Sequence, residues 1–273
     1  MKISIRLVVA GLFVAAGVAS TAELGSVVSS FPTRGSSGAM TSGMAYVDGY
    51  LWTLQMDTRP VGASLVKRIH PTGSIVSSFK IATEQLIYEQ LTHDGSDFWA
   101  GCCTWGYTDP RLLKIDGRTM SIVSSIPLNW FANEIEGLAW NGQDFWFSYF
   151  GAPNETYRID TSGSVIASYP VRYDFAFGIA YAPALPGGPR VFECHDPGVG
   201  DTRVNVYKAA GHQSEYYFPI QRERSCRILC WDGEYLWVWE NVMGNEYACR
   251  VVAWPPDIGV LPSSLGKVKA LFR

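Results

Sequence analysis

Two glutamates occupy the same place in two copies of a repeated phrase, Glu89 in "YEQLTHDG" and Glu136 in "IEGLAWNG". The other copies, "TSGMAYVDG", "AFGIAYAP" and "CRILCWDG", add Ser42, Phe177 and Arg227 to that column. Converging carboxylates, with Asn133 and Glu134 just outside, could hold a divalent cation or orient a polar ligand. They could equally be the charges that wet a channel mouth, with Arg227 balancing a carboxylate. A second column, at the end of the next segment, holds Gln55, Cys102, His195 and Glu240, followed by Met56, Cys103, Asp196 and Asn241. The candidate ligand-binding set is therefore Glu89, Glu134, Glu136, Arg227, His195, Asp196, Glu240 and Asn241. Glu136 and Glu89 are the candidates for catalysis, and a divalent cation on the shared axis is the candidate cofactor.

Other chemistries find less support. "ECHDP" (Glu193 to Pro197) has no second Cys or His motif at zinc spacing. The nucleophile-elbow, phosphate-loop and dinucleotide patterns are absent. Of the six cysteines, Cys226 and Cys230 lie roughly 13 Å apart on one strand and cannot bridge each other. Cys194 and Cys226 fall at similar heights in successive copies, so a disulfide is possible there. Cys102 and Cys103 could form a vicinal disulfide or remain thiols.

The elements that would position these residues come from the repeat itself. The aromatic of "YLW", "DFW", "DFW", "VFE" and "YLW" (Trp52, Trp99, Trp146, Phe192, Trp237) recurs every 45–47 residues. Each unit reads apolar segment, Asp-Gly or Asn-Gly turn, aromatic segment, longer loop, third segment, short turn, and a phrase such as "GSIVSSF". Short alternating segments bounded by such turns predict antiparallel strands. Four strands per unit, repeated five times, predict an all-β fold: a five-bladed β-propeller, with six blades as the alternative. The Trp column then fills space between blades. The early phrase "GSVVSSF" from Gly25 is expected to pair with the last blade and close the ring through the N- and C-terminal strands. "GVLPSSL" from Gly259 is the possible sixth copy, its Pro262 suiting only an edge.

The repeat also sorts the loops. The Asp-Gly turns share one face, and the longer, varied loops share the other, where binding usually resides on a rigid scaffold.

The N-terminus has a basic start (Lys2, Arg6), an apolar run from Leu7 to Val18, and the small residues Ser20-Thr21-Ala22. This predicts a signal peptide over residues 1–22, cleaved after Ala22, and a secreted, periplasmic or extracellular protein. The propeller is expected over 23–257, and 258–273 is a basic tail or an extra edge strand. Removing Lys2 and Arg6 from 22 basic residues leaves 20 against 25 acidic ones. That mild acidity argues against nucleic acid as a partner. No later segment is long and apolar enough to be a transmembrane helix. A monomer is expected.

"GLAWNGQDFWFS", "RIDTSGSVIASY" and "WDGEYLWVWE" resemble secreted bacterial β-propellers of the broad YVTN/NHL-like superfamily, across about residues 25–257. Within it, "ANEIEGLAWNGQDFWFS" is similar to the five-bladed glutaminyl cyclotransferases, whose Asn-Glu-Leu-Glu segment is matched by Asn133, Glu134, Ile135 and Glu136. That resemblance implies cyclotransferase activity around Glu136. Gluconolactonase-like propellers, usually six-bladed, set carboxylates and amides around a central metal, which Glu136 and Asn241 could imitate. The first expectation is a non-catalytic propeller whose loop-bearing face binds a protein, peptide or glycan. The alternative is an enzyme, a cyclotransferase or a metal-dependent lactonase or lyase, with its carboxylates at the channel mouth.

Overall fold

In the computed structural model the described residues are 23–33, 39–57, 64–81, 86–104, 108–131, 134–149, 155–171, 176–195, 202–220, 226–242 and 245–254, with backbone only at 39, 57, 86–88, 241 and 242. The expected signal peptide, the tail and the possible sixth copy at Gly259 lie outside them.

The chain begins with β1 (Val27–Pro32) and then lays down four consecutive antiparallel sheets. The first is β2 (Ala39–Val47), β3 (Tyr50–Asp57), β4 (Ser64–Ile69) and β5 (Ile75–Ile81). The second is β6 (Leu86–His93), β7 (Phe98–Thr104), β8 (Thr108–Ile115) and β9 (Ile122–Pro127). The third is β10 (Ile135–Trp140), β11 (Phe145–Tyr149), β12 (Glu155–Ile159) and β13 (Val165–Pro170). The fourth is β14 (Ala176–Ala182), β15 (Arg190–His195), β16 (Arg203–Lys208) and β17 (Gln213–Pro219). The fifth is β18 (Cys226–Trp231), β19 (Leu236–Val242) and β20 (Asn245–Val251), completed by β1 in the order β1-β20-β19-β18. The protein is a five-bladed β-propeller, as its repeats predict, and no helix occurs among the described residues.

The first strands of the blades touch one another in a ring, β2 to β6 to β10 to β14 to β18 and back to β2. Closure is made where the chain's early and late segments meet. β1 pairs antiparallel with β20, Phe31 opposite Ala248 and Pro32 opposite Tyr247. Glu246 on β20 then reaches the next blade. Its Oε2 accepts from the Thr41 backbone N–H at 3.1 Å and the Thr41 hydroxyl at 2.8 Å. Closing the ring leaves only the short outer edges unpaired.

Those outer edges answer why one phrase is repeated. In each outer strand the register slips by one residue, leaving Val28, Val76, Val123, Ile166 and Glu215 as bulges. The four apolar ones are exposed. A bulge twists an edge out of register for pairing with another chain, so the phrase encodes a protected edge.

The Trp column packs between blades. Trp146 and Trp237 are fully buried, each burial contributing roughly 2–3 kcal/mol. Two members are also clamped. Asp94 accepts from the Trp99 indole at 2.8 Å and sits 3.6 Å from Lys114 Nζ. Asp232 accepts from the Trp237 indole at 2.9 Å and from Arg250 Nε at 2.7 Å. The other oxygen of each Asp caps its own turn, Asp94 taking the Ser96 and Asp97 N–H groups and Asp232 those of Glu234 and Tyr235. The turn residue read in the sequence as a hairpin signal is thus also the anchor of the blade's tryptophan. In blade three Asn141 takes that place, Asp144 pairs with Arg158 instead, and the Trp146 indole N–H has no partner.

Candidate functional site

The five-residue column that alignment predicts has one backbone origin. Along each first strand the pairing skips one residue, between Thr41 and Gly43, Tyr88 and Gln90, Ile135 and Gly137, and Cys226 and Ile228, or two, between Ala176 and Ile179. The skipped residues include Ser42, Glu89, Glu136, Phe177 and Arg227. A bulge frees its residue from the alternation of the strand and re-aims the side chain. In three blades glycine follows, because the next first strand passes directly over it. A Cβ on Gly43 would lie 2.6 Å from Leu91 N, and one on Gly178 would lie 2.8 Å from Arg227 O and Leu229 N.

The structure brings Glu89, Glu134, Glu136 and Arg227 into one electrostatic cluster. The Glu89 carboxylate accepts the Ile135 backbone N–H at 3.0 Å, which places it beside both carboxyls that flank Ile135. Burial, followed by repulsion from Glu136 and Glu134, pushes the Glu89 carboxyl up to about 9. Glu136 is raised to about 8, chiefly by burial and against the pull of Arg227, and it shares a hydrogen bond with Glu134. Both acids are therefore largely protonated at neutral pH. Arg227 is exposed and lies 4.9 Å over the Phe177 ring; Glu89 and Glu134 are half-buried and Glu136 is buried. The cluster is a pit graded from a solvent-facing cation to a buried neutral acid. Ser42 turns into its own blade and donates to the Leu54 carbonyl at 3.4 Å. Gln90, one residue below the bulge, donates to the Arg227 carbonyl at 3.3 Å and ties blade two to blade five.

No family model matches the sequence, and no curated protein does. Among solved structures, the chain is similar to hydrazine synthase of Kuenenia stuttgartiensis, with 14% identity over 73% of this chain and 55% of that one, and a TM-score of 0.48. It is also similar to a chain of a nidogen/laminin complex, with 13% identity over 75% of this chain and 73% of that one, and a TM-score of 0.49. The chain thus spans about half the length of the hydrazine synthase chain it matches.

The second predicted column does not join the pit. Gln55, Cys102, His195 and Glu240 are walled in, at 1%, 0%, 0% and 1% exposure. His195 Nε2 lies 3.2 Å from Glu193 Oε2, and the other Glu193 oxygen meets His212 Nε2 at 2.8 Å and accepts from Thr156 Oγ1 at 2.7 Å. Burial raises the Glu193 carboxyl, but hydrogen bonds and charge from His195 and His212 outweigh it and hold the group down at about 2. This network locks blade three to blade four, and it was not foreseen from "ECHDP". The available signal was the alternation of β15, which places Glu193 and His195 on the same side of one strand. Glu240 accepts from Cys249 Sγ at 3.4 Å while its Oε1 has no partner. Asp196 and the side chain of Asn241, like Asn133, lie outside the described residues.

All six cysteines are buried thiols. Cys194 Sγ contacts the Cys226 carbonyl at 2.7 Å, so the pair expected at similar heights does abut. Burial pushes the Cys102 thiol up to about 12 and Cys103 higher still, with Glu89 adding to both shifts, so these thiols are poor nucleophiles. Among the described residues no group of three or more His, Cys, Asp or Glu is arranged to hold a metal ion.

Proposed function

We propose that this protein is an exported, monomeric β-propeller of the YVTN/NHL-like kind that binds a protein, peptide or glycan on its loop-bearing face. The ligand's polar group would enter the pit of Glu89, Glu134, Glu136 and Arg227. The observation that carries this reading is the chemistry of that pit. A scaffold repeated five times places Ser, Glu, Glu, Phe and Arg at its bulges, and the acids are kept neutral so that they can donate as well as accept hydrogen bonds. Export rests on the segment over residues 1–22 and is checked by N-terminal sequencing of secreted protein, expected to begin at Glu23.

A second reading is favoured by the same raised carboxyls. A buried acid poised near neutrality is what general acid catalysis needs, and Glu136 stands in the segment that resembles the glutaminyl cyclotransferases. One pair of substitutions separates the two readings. The mature chain is screened on immobilised glycans and peptides, and in parallel by mass spectrometry against glutaminyl peptides and lactones. For a binding protein, Glu136→Gln keeps the neutral side chain and retains binding, while Arg227→Ala weakens it about tenfold, as expected for a charge-assisted hydrogen bond. For an enzyme, Glu136→Gln lowers turnover by roughly 10²-fold or more. Capture of neither ligand class, or binding indifferent to Arg227→Ala, removes the pit from the function.

A further inference from the structure

The cysteines fall into separate seams of the ring. Cys102 packs in the apolar cluster between blades one and two, and Cys230 in the one between blades five and one. Cys194, Cys226 and Cys249 share the cluster between blades four and five. There two thiols meet. Cys194 on β15 sets its Sγ 2.7 Å from the Cys226 carbonyl on β18, and the two side chains share a hydrogen bond. They stand 32 residues apart in sequence, and both are fully enclosed. The third, Cys249, donates to Glu240 Oε2 at 3.4 Å.

The two cysteines lie in different sheets. β15 sits between β14 and β16, and β18 is the inner strand beside β19. A bond between them would join what the strand ladders leave separate. Cys226 also has a particular place in the ring. It pairs with Glu240 on β19 and is the residue before the Arg227 bulge. Its blade is the one that β1 completes, and Glu246 holds that blade to blade one through Thr41. A link at Cys226 would hold the other side of the closing blade to blade four.

We propose that Cys194 and Cys226 are a disulfide site, oxidised by thiol–disulfide exchange while the chain folds, so that blades four and five become covalently joined. The oxidant is a disulfide, small or protein-borne. One cysteine thiolate attacks a sulfur of that disulfide, whose S–S bond breaks to leave a mixed disulfide and one released thiolate. The second cysteine thiolate attacks the protein sulfur of the mixed disulfide, forms the Cys194–Cys226 bond and releases the other thiolate. Two protein thiols are oxidised, one disulfide is reduced to two thiols, and the cysteine protons end on the released sulfurs. Burial pushes the Cys226 thiol well above its ordinary value, so its thiolate is scarce once the seam has closed and the exchange must precede docking. The proposal rests on the export reading only for where such an oxidant is met.

The chain from Glu23 onward is unfolded in urea with dithiothreitol, then refolded with either dithiothreitol or a mixture of reduced and oxidised glutathione. Acid quenching, alkylation and non-reducing peptide mapping should find one cross-linked pair in the glutathione sample, Cys194 with Cys226, the remaining four cysteines being alkylated. The bridged protein should melt roughly 5–10 °C above the reduced one, the effect of closing a loop of this length. Cys194→Ala and Cys226→Ala should each abolish both the cross-link and the difference between the two refolding conditions. If neither variant folds, the comparison of the two forms of the unaltered protein still decides. The proposal is overturned if both thiols stay free after glutathione refolding, if either pairs with Cys249 or another cysteine, or if the bridge raises no melting temperature. N-terminal sequencing of secreted protein tests export separately. A bridge that forms on refolding of a chain that cells do not secrete supports the site and removes only the export reading.

Discussion

The protonated state of Glu89 has a measurable consequence for folding. The carboxyl titrates near 4.5 in an open chain and at about 9 in the folded protein, raised first by burial and then by Glu136 and Glu134. Between those values the folded protein holds a proton that the unfolded chain has lost, so stability falls as pH rises through the window. Each pH unit costs about 1.4 kcal/mol per such group, or about 3 kcal/mol for Glu89 between pH 6 and pH 8. Glu136, raised to about 8, adds a similar loss that fades above pH 7. Glu89→Gln keeps a carbonyl oxygen for the Ile135 N–H and no longer titrates. Its stability relative to the unaltered protein should therefore climb by about 3 kcal/mol from pH 6 to pH 8, with little difference near pH 5. Urea unfolding at each pH, followed by tryptophan fluorescence, measures this directly. Parallel pH profiles for the two proteins would refute the reasoning. They would mean that Glu89 is ionised in the fold and that the attraction of Arg227 outweighs burial.

The Trp clamp, the interblade network and the close approach at the bulge each carry their own test. Asp232→Asn puts an amide donor against the Trp237 indole and Arg250 Nε, and should cost about 2 kcal/mol in urea unfolding; an unchanged midpoint denies the clamp. Glu193→Gln breaks a fully buried charged network and should cost roughly 3–5 kcal/mol at pH 7. Because the carboxyl is depressed, the stability it contributes is present above about 4.5 and lost as pH falls towards 2, so the cost of the substitution should shrink across that interval when unfolding is followed in acid. Gly43→Ala sets a methyl 2.6 Å from Leu91 N and should destabilise by roughly 1–3 kcal/mol or prevent folding; a variant with wild-type thermal stability would show that β2 and β6 can move apart.

The architecture was legible because its signals are local. Asp48 and Gly49 both adopt positive φ, 50° and 81°, and such a pair marks a tight hairpin wherever it is written. The spacing of the tryptophans then supplied the blade count, and the early phrase at Gly25 found its partner strand β20 as expected. The pit was half legible. Aligning the strand-one phrases put Glu89, Glu136 and Arg227 in one column, but alignment carries no information about backbone register. It could not show that all three are bulges, or that Ser42 in the same column turns inward. The burial of His195 and Glu240 was not legible for a related reason. Polar residues at a strand end look accessible in sequence, whereas both are fully enclosed in the fold. The Glu193 carboxyl beside His195 is held in part by Thr156 of the preceding blade, and strand patterning does not encode that contact.

Repetition and its exceptions divide the labour in this chain. At the Trp column and the edge bulges, most blades repeat one solution because each solves the same packing problem. At the bulge column the five blades write Ser, Glu, Glu, Phe and Arg, although the backbone there is nearly the same in each. A purely structural column would converge, as the Trp column does, since equivalent surroundings favour equivalent side chains. The bulge column diverges while burying acids at a cost in stability above pH 4.5. A fold that needed only to close would lose that cost by writing Gln at 89 and 136. The acids keep that cost, as a ligand-binding role proposed for that end of the ring would require, and the pH dependence of Glu89→Gln measures its size.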